Sequence, residues 1–68
     1  MNYNLIGYRN MLRLSQEAMG AKIGMCRDSY QKKENGKLDF TQTEIENIMK
    51  ILKEKKPLLT IEEVFLRE

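Results

Sequence analysis

Apolar residues recur at helical spacing in several short segments of the chain. The clearest case follows Thr41, where Ile45, Ile48, Met49 and Leu52 are spaced i, i+3, i+4 and i+7. That spacing is typical of a helix with one buried face. No stretch shows the strict apolar-polar alternation of a β-strand, so we predict an all-α fold. Its five helices are expected at about 4–12, 16–23, 27–34, 42–54 and 61–67.

Polar residues at the predicted helix starts support these boundaries. Asn4 and Ser15 can cap the first and second helices, because a short polar side chain accepts from an amide that the first turn leaves unpaired. Thr41 and Thr60 each begin a Thr-x-x-Glu capping box, and Gly36 can close the third helix in a left-handed conformation. The connections are short, so a single domain covering residues 1–68 is expected.

The second and third predicted helices are joined by the turn Gly24-Met25-Cys26, which indicates a helix-turn-helix. Gly20 has no side chain, so the third helix can cross the second closely at that point. Met19, Met25 and Met49 fall at expected core positions, where flexible methionine side chains fill irregular space.

Charge is distributed unevenly along the chain although the formal net charge is only +2. Residues 1–38 contain seven Lys/Arg and three Asp/Glu, whereas residues 39–68 contain five and seven. The positive half contains the predicted helix-turn-helix, which favours an anionic partner there.

Several classes of protein are disfavoured by composition. A single cysteine and no histidine provide neither an internal disulfide nor a usual zinc site. No apolar run approaches the roughly 20 residues that span a bilayer, and the first residues lack a signal-peptide pattern, so we expect a cytoplasmic protein without a membrane contact. We also expect no cofactor and no enzymatic activity, because no nucleophile has a plausible base nearby and there is no glycine-rich phosphate loop.

The run Leu14-Ser15-Gln16-Glu17, the turn residue Gly24 and the closing Glu34-Asn35-Gly36-Lys37 together resemble the phage repressor and Cro family of helix-turn-helix proteins. The similarity covers about residues 5–52. It implies a small transcriptional regulator that binds a double-stranded DNA operator as a homodimer, with the third helix in the major groove.

The resemblance also implies roles for individual residues. Residues near the start of the third helix would meet base edges, and Arg27 offers a fork for O6 and N7 of guanine. Asp28 can accept from cytosine N4, or it only favours the helix N-terminus. The expected base contacts are Arg27, Asp28, Gln31 and Lys32. The expected phosphate contacts are Gln16, Ser29, Asn35 and Lys37.

Alternatives remain for some of these positions. Gln16 can be a solvated first-turn residue, and Asn35-Gly36 suits a helix end for conformational reasons alone. Lys33 departs from the family, in which this position is commonly apolar, so either its aliphatic stem covers apolar surface or the helix is rotated slightly. Cys26 stands where the family usually has a Ser or Thr cap, and we interpret it as a weak cap.

A dimer surface is expected among the apolar residues of the last segment, unless these only cover the core. Those residues are Leu58, Leu59, Ile61, Val64, Phe65 and Leu66, of which Leu59, Ile61, Val64 and Phe65 are the expected interface.

A different class of function also remains open. The chain can be a protein-interaction module that keeps the helix-turn-helix scaffold and binds a partner repressor or a toxin. The low net charge and the acidic Asp28 favour this alternative.

Overall fold

Five α-helices make up most of residues 2–65, the part of the chain that the computed structural model describes. No β-strand occurs in that part, and the all-α prediction is confirmed. The helices are α1 (Tyr3–Met11), α2 (Gln16–Lys22), α3 (Arg27–Glu34), α4 (Gln42–Lys53) and α5 (Ile61–Phe65). The predicted end of the fifth helix at residue 67 lies outside the described residues.

Three of the predicted caps are present. The Ser15 hydroxyl accepts from the Ala18 amide at 3.0 Å, and Thr41 forms a complete capping box with Glu44. At α5 the Glu63 amide donates to Thr60 Oγ1 at 3.3 Å, and the Thr60 amide donates back to Glu63 Oε1 at 3.2 Å. These polar side chains explain why α2, α4 and α5 begin at the predicted residues.

The predicted cap of the first helix is wrong. Helix α1 begins at Tyr3, so Asn4 lies inside its first turn, and the N-cap residue is Asn2. The Asn2 backbone amide is used to donate to the Glu34 carbonyl oxygen at 3.0 Å. The Asn4 side-chain amide instead donates to the Glu63 carbonyl at 2.9 Å, which ties α1 to α5.

Nine apolar residues are buried in the core within residues 2–65, and they come from every helix and from the two segments before α4 and α5. The centroid of the Phe40 ring lies 5.8 Å from that of Tyr30 and 5.7 Å from that of Phe65. Phe40 therefore joins α3 to α5 through tilted and edge-on ring contacts. Met19 and Met49 are buried as predicted, and Met25 packs against the core from a half-buried position. The buried residues are Leu5, Met19, Tyr30, Phe40, Ile48, Met49, Leu52, Leu59 and Val64.

Helices α2 and α3 pack against each other in a helix-turn-helix arrangement. A Cβ atom placed on Gly20 would lie only 2.7 Å from the Met25 carbonyl oxygen. The Met25 amide donates to the Gly20 carbonyl at 2.8 Å, and Gly24 takes a positive φ of 75° in the turn between them. A close approach at Gly20 is therefore present, but the nearest atom belongs to the turn, and the nearest atom of α3 is Tyr30 Cβ at 3.4 Å.

Lys33 forms an ion pair. Its Nζ lies 2.6 Å and 2.8 Å from the two carboxylate oxygens of Glu44. The lysine is half-buried and joins the last turn of α3 to the first turn of α4. This ion pair accounts for a lysine at a position where we expected either a stem that covers apolar surface or a rotated helix.

Two alanine substitutions that make the same chemical change should have opposite effects on the free energy of unfolding. Gly7 lies inside α1, and a Cβ there meets nothing within 4 Å, so Gly7→Ala should stabilise the domain by about 0.5–1 kcal/mol. Gly20→Ala should destabilise it by about 1–3 kcal/mol, because the added carbon overlaps the turn. Urea unfolding of both variants measures the two changes, and equal signs would contradict the packing described for Gly20.

The Lys33–Glu44 ion pair should make part of the stability dependent on pH. Partial burial raises the pKa of Glu44, but hydrogen bonds from Lys33 and from the Thr41 amide outweigh this and leave its pKa below the ordinary 4.5. A carboxylate with a lowered pKa in the folded state stabilises that state at pH values above its ordinary pKa. This stabilisation is lost as the pH falls and the carboxylate is protonated. The stability difference between wild type and Lys33→Met should therefore shrink between pH 7 and about pH 3.

The control for that experiment is Lys32→Met, which removes an exposed lysine from the same helix. Its stability difference from wild type should stay nearly constant over the same pH range. If the two variants had parallel pH profiles, the ion pair would not be the source of the dependence.

Candidate DNA-binding face

The first turn of α3 is open to solvent. Arg27 and Asp28 are exposed at its start, Lys32 is exposed one turn later, and Gln31 is half-buried between them. The inward side of the helix is formed by Tyr30, which is fully buried. The residues predicted to meet bases therefore lie on the outer part of α3.

Cys26 is the N-cap residue of α3 and makes no side-chain cap hydrogen bond. Its Sγ lies 3.3 Å from Ser29 Oγ. Hydrogen bonding by the Ser29 hydroxyl, and then by its backbone amide, lowers the pKa of the Cys26 thiol. Cys26 thus occupies the N-cap position, but its exposed thiol neither caps α3 nor packs in the core. The Ser29 hydroxyl, a predicted phosphate contact, lies against this thiol.

Gln16, the other predicted phosphate contact at a helix start, has a partner inside the protein. Its side-chain amide donates to Glu34 Oε1 at 3.0 Å, and the side chain is half-buried. Gln16 is therefore not simply a solvated first-turn residue. One amide hydrogen joins α2 to the end of α3, and the second remains for another acceptor.

A buried ion pair between Arg9 and Glu34 lies next to Gln16, and the sequence analysis does not predict it. Arg9 Nε donates to Glu34 Oε2 at 2.9 Å, and a second guanidinium nitrogen lies 3.2 Å from Oε1. The remaining nitrogen donates to the Leu14 carbonyl at 2.7 Å. Arg9 is 8% exposed and Glu34 is fully buried, so both charges are removed from water and satisfied by each other.

The spacing of apolar residues held the signal for this pair. Arg9 lies four residues after Leu5 and three before Leu12, which places it on the inward stripe of α1. Glu34 lies four residues after Tyr30 on the inward side of α3. A cation and an anion on two buried faces are expected to meet, because an isolated buried charge is very costly.

The Tyr30 hydroxyl is close to this ion pair. It is buried and has no hydrogen-bond partner within residues 2–65. Burial raises the pKa of Tyr30, and the neighbouring Glu34 carboxylate raises it further. The phenol therefore stays protonated and neutral beside the carboxylate.

An open depression separates the starts of α2 and α3. Arg9, Ser15, Gln16, Glu17 and Arg27 line it. Arg9 on the inner wall is already paired with Glu34, and the exposed Arg27 is accompanied by the acidic Glu17. The depression connects the buried ion pair with the first turn of α3.

The segment that closes α3 shows a defined hydrogen-bonded turn. Asn35 is the C-cap residue, and Gly36 has a positive φ of 87°. The Lys37 amide donates back to the Lys32 carbonyl at 2.9 Å. The conformational role of Asn35-Gly36 is therefore present, and the exposed Lys37 side chain is placed next to the end of α3.

Ion pairing changes the charge balance of this half of the protein. Two of its seven cationic residues, Arg9 and Lys33, are paired with Glu34 and Glu44. The other five are exposed, against two exposed acidic residues between positions 2 and 38, Glu17 and Asp28. The exposed cationic residues are Arg13, Lys22, Arg27, Lys32 and Lys37.

The residues predicted to form a dimer surface are divided by the fold. Leu59 and Val64 are buried in the core, and Phe65 is half-buried against Phe40. These three cover the core of their own chain, so they do not provide an exposed surface. Of the predicted residues, Leu58 and Ile61 are exposed, at 92% and 42%, and Leu66 lies outside the described residues.

Comparison with known proteins gives no family for this chain. We found no matching family model, curated protein or solved structure. Within residues 2–65, no helix has the length and apolar character needed to cross a bilayer.

The buried ion pair makes a prediction about stability. Arg9→Met leaves the Glu34 carboxylate buried without its counterion and should reduce the free energy of unfolding by about 3–5 kcal/mol. The double variant Arg9→Met/Glu34→Met removes both charges and should be more stable than Arg9→Met alone. Urea unfolding of the wild type, Arg9→Met, Glu34→Met and the double variant provides the comparison, and additive losses in the double variant would show that the two side chains do not interact.

Proposed function

We propose that this protein is a sequence-specific DNA-binding regulator that reads an operator with α3 in the major groove. The observation that carries the proposal is the charge of residues 13–37, from the turn before α2 to the turn after α3, where five exposed cationic residues accompany two exposed acidic ones. A surface of this charge favours contact with a phosphate backbone. An α-helix fits the major groove of B-DNA, and the exposed first turn of α3 carries side chains that can form hydrogen bonds with base edges there.

Base recognition is assigned to the exposed side of α3. Arg27 would donate two hydrogen bonds to O6 and N7 of one guanine, and Gln31 would pair with N6 and N7 of an adenine. Lys32 would reach a guanine or the nearest phosphate. Asp28 would accept from cytosine N4 and would disfavour guanine and thymine at that position, because these bases present only acceptors and its carboxylate cannot donate.

Backbone contacts would hold α3 in register without reading sequence. Lys37 and Asn35 lie at the C-terminal end of α3, and Gln16 lies at the N-terminal end of α2. Gln16 has one side-chain amide hydrogen left after its bond to Glu34, which is enough for one phosphate oxygen. Ser29 would have to turn away from Cys26 to make such a contact.

A regulator of this kind would act in the cytoplasm as a homodimer. Two copies would place their α3 helices in successive major grooves, about 34 Å apart on one side of the duplex. An operator with inverted half-sites is therefore expected.

Selection from random duplexes by the purified protein tests the proposal directly. An enriched inverted repeat, bound less tightly as salt rises, is the expected result, because released counterions oppose binding at high salt. No enrichment and no salt-dependent binding would contradict it. That outcome would favour a protein-interaction module that uses the same scaffold to bind a partner repressor or a toxin.

Two substitutions separate base reading from backbone contact. Arg27→Ala should weaken binding to the best site by about 1–3 kcal/mol and relax preference at one base pair. Lys37→Ala should weaken all sequences alike and reduce the slope of log affinity against log salt by about 1. Fluorescence anisotropy at several salt concentrations measures both.

The matched control is Lys50→Ala, which removes an exposed lysine from α4, outside the proposed face. It should change neither specificity nor the number of phosphate contacts. Equal losses of Arg27→Ala on every duplex would remove its role in base recognition.

A further inference from the structure

The connection from α1 to α2 contains a strained backbone position. Arg13 has a φ of 59°, and within residues 2–65 it is the only residue other than glycine with a positive φ. In this left-handed conformation the Cβ atom crowds the backbone, so the conformation is usually taken by glycine, which has no Cβ. An arginine therefore occupies a position that favours glycine.

The turn that ends α1 requires this conformation. The Arg13 amide donates to the Asn10 carbonyl at 2.9 Å, and the Leu14 amide donates to the Arg9 carbonyl at 3.2 Å. These two bonds form a Schellman motif, in which the residue after the C-cap is left-handed and is most often glycine. The C-cap of α1 is Leu12, so Arg13 is that residue.

The Arg13 side chain makes no contact that compensates for the strain. It is exposed, and within residues 2–65 its guanidinium takes part in no hydrogen bond or ion pair. Glycine would form the same hydrogen-bonded turn without crowding. Uncompensated backbone strain of this kind is concentrated at functional sites, which directs attention to a partner outside the protein.

Arg13 lies beside the surface that we propose for DNA. The carbonyl of Leu14, the next residue, accepts from the Arg9 guanidinium at 2.7 Å, and Arg9 lines the depression at the starts of α2 and α3 together with Ser15 and Arg27. Arg13 and Ser15 are two positions apart, so their Cα atoms are separated by at most about 7 Å. An extended arginine side chain has a similar length, and the Arg13 guanidinium can therefore reach the rim of the depression.

We propose that Arg13 binds a phosphate of the DNA backbone at the edge of this depression, and that the strained arginine is kept for that contact. The inference rests on the proposed function and adds a residue of the α1–α2 connection to its backbone contacts. A guanidinium suits this role because it can donate two parallel hydrogen bonds to one phosphate. Since a phosphate contact carries no sequence information, Arg13 should contribute equally on every duplex.

Three substitutions at Arg13 separate its charge from its backbone strain. Arg13→Gly removes both, so it should weaken DNA binding and raise the melting temperature of the free protein by a few degrees, because the relief of strain exceeds the freedom that glycine adds to the unfolded chain. Arg13→Ala removes the charge but keeps the Cβ atom, so it should weaken binding without raising the melting temperature. Arg13→Lys is the matched control, and it should preserve both properties.

Fluorescence anisotropy over a range of salt concentrations measures the contact, with the selected operator and with a short duplex of mixed sequence. Loss of one phosphate contact should reduce the slope of log affinity against log salt by about 0.9 on both duplexes. Arg13→Gly and Arg13→Ala should show the same reduction, and Arg13→Lys should show none. Thermal unfolding of each free protein provides the melting temperatures.

The outcomes distinguish this contact from the proposed function. A wild type that binds DNA, with Arg13→Gly and Arg13→Ala keeping its full salt slope, would exclude the phosphate contact and leave the proposed function intact. A wild type that binds neither duplex would overturn the proposed function and this contact with it. A lower melting temperature for Arg13→Gly would show that the arginine stabilises the fold, and it would exclude the account of a strained residue kept for binding.

Discussion

The Arg9–Glu34 ion pair is the interaction on which the arrangement of the first three helices depends. Glu34 ends α3, and its carboxylate accepts from Arg9 in α1 and from Gln16 at the start of α2. Arg9 also donates to the Leu14 carbonyl in the connection between α1 and α2. Because buried charges must be fully satisfied, the partners have little freedom to shift relative to one another.

The proposed DNA-binding face is built outward from this buried pair. The same Glu34 that neutralises Arg9 orients the Gln16 side chain, and the Asn2 amide donates to the Glu34 carbonyl. On the other side, Gly20 lets the turn carry α3 across α2 at close range. The contacts that hold α3 in place therefore do not use the exposed side chains of its first turn, Arg27 and Asp28.

Most of the fold could be predicted from local signals. Thr41 and Thr60 are followed by glutamate at the third position, so the starts of α4 and α5 were predictable from capping chemistry. The predicted cap at Asn4 was wrong for a physical reason. An asparagine side chain can cap a helix, but it can also donate to another helix, as Asn4 does to Glu63. The backbone contact between Asn2 and Glu34, which lies at the start of α1, cannot be predicted from local spacing.

The candidate site was less predictable than the fold. The exposure of Arg27 and Lys32 follows from the helical period, but the use of Gln16 inside the protein depends on where Glu34 lies in three dimensions. Lys33 is similar, since its partner Glu44 is eleven residues away in another helix. From the sequence alone, Leu59 and Val64 could belong either to a dimer surface or to the core. Only the packing of α5 shows that they are buried in the core.

If the outer surface of α2 and α3 contacts DNA, the backbone amides of these helices change their environment when a duplex binds. We would record backbone amide spectra by nuclear magnetic resonance during titration with a selected duplex. Contact through this surface predicts shifts concentrated at residues 15–17 and 26–37, with residues 46–56 of α4 and its C-terminal end unchanged. Shifts confined to α4 and α5, or no shifts at all, would contradict it.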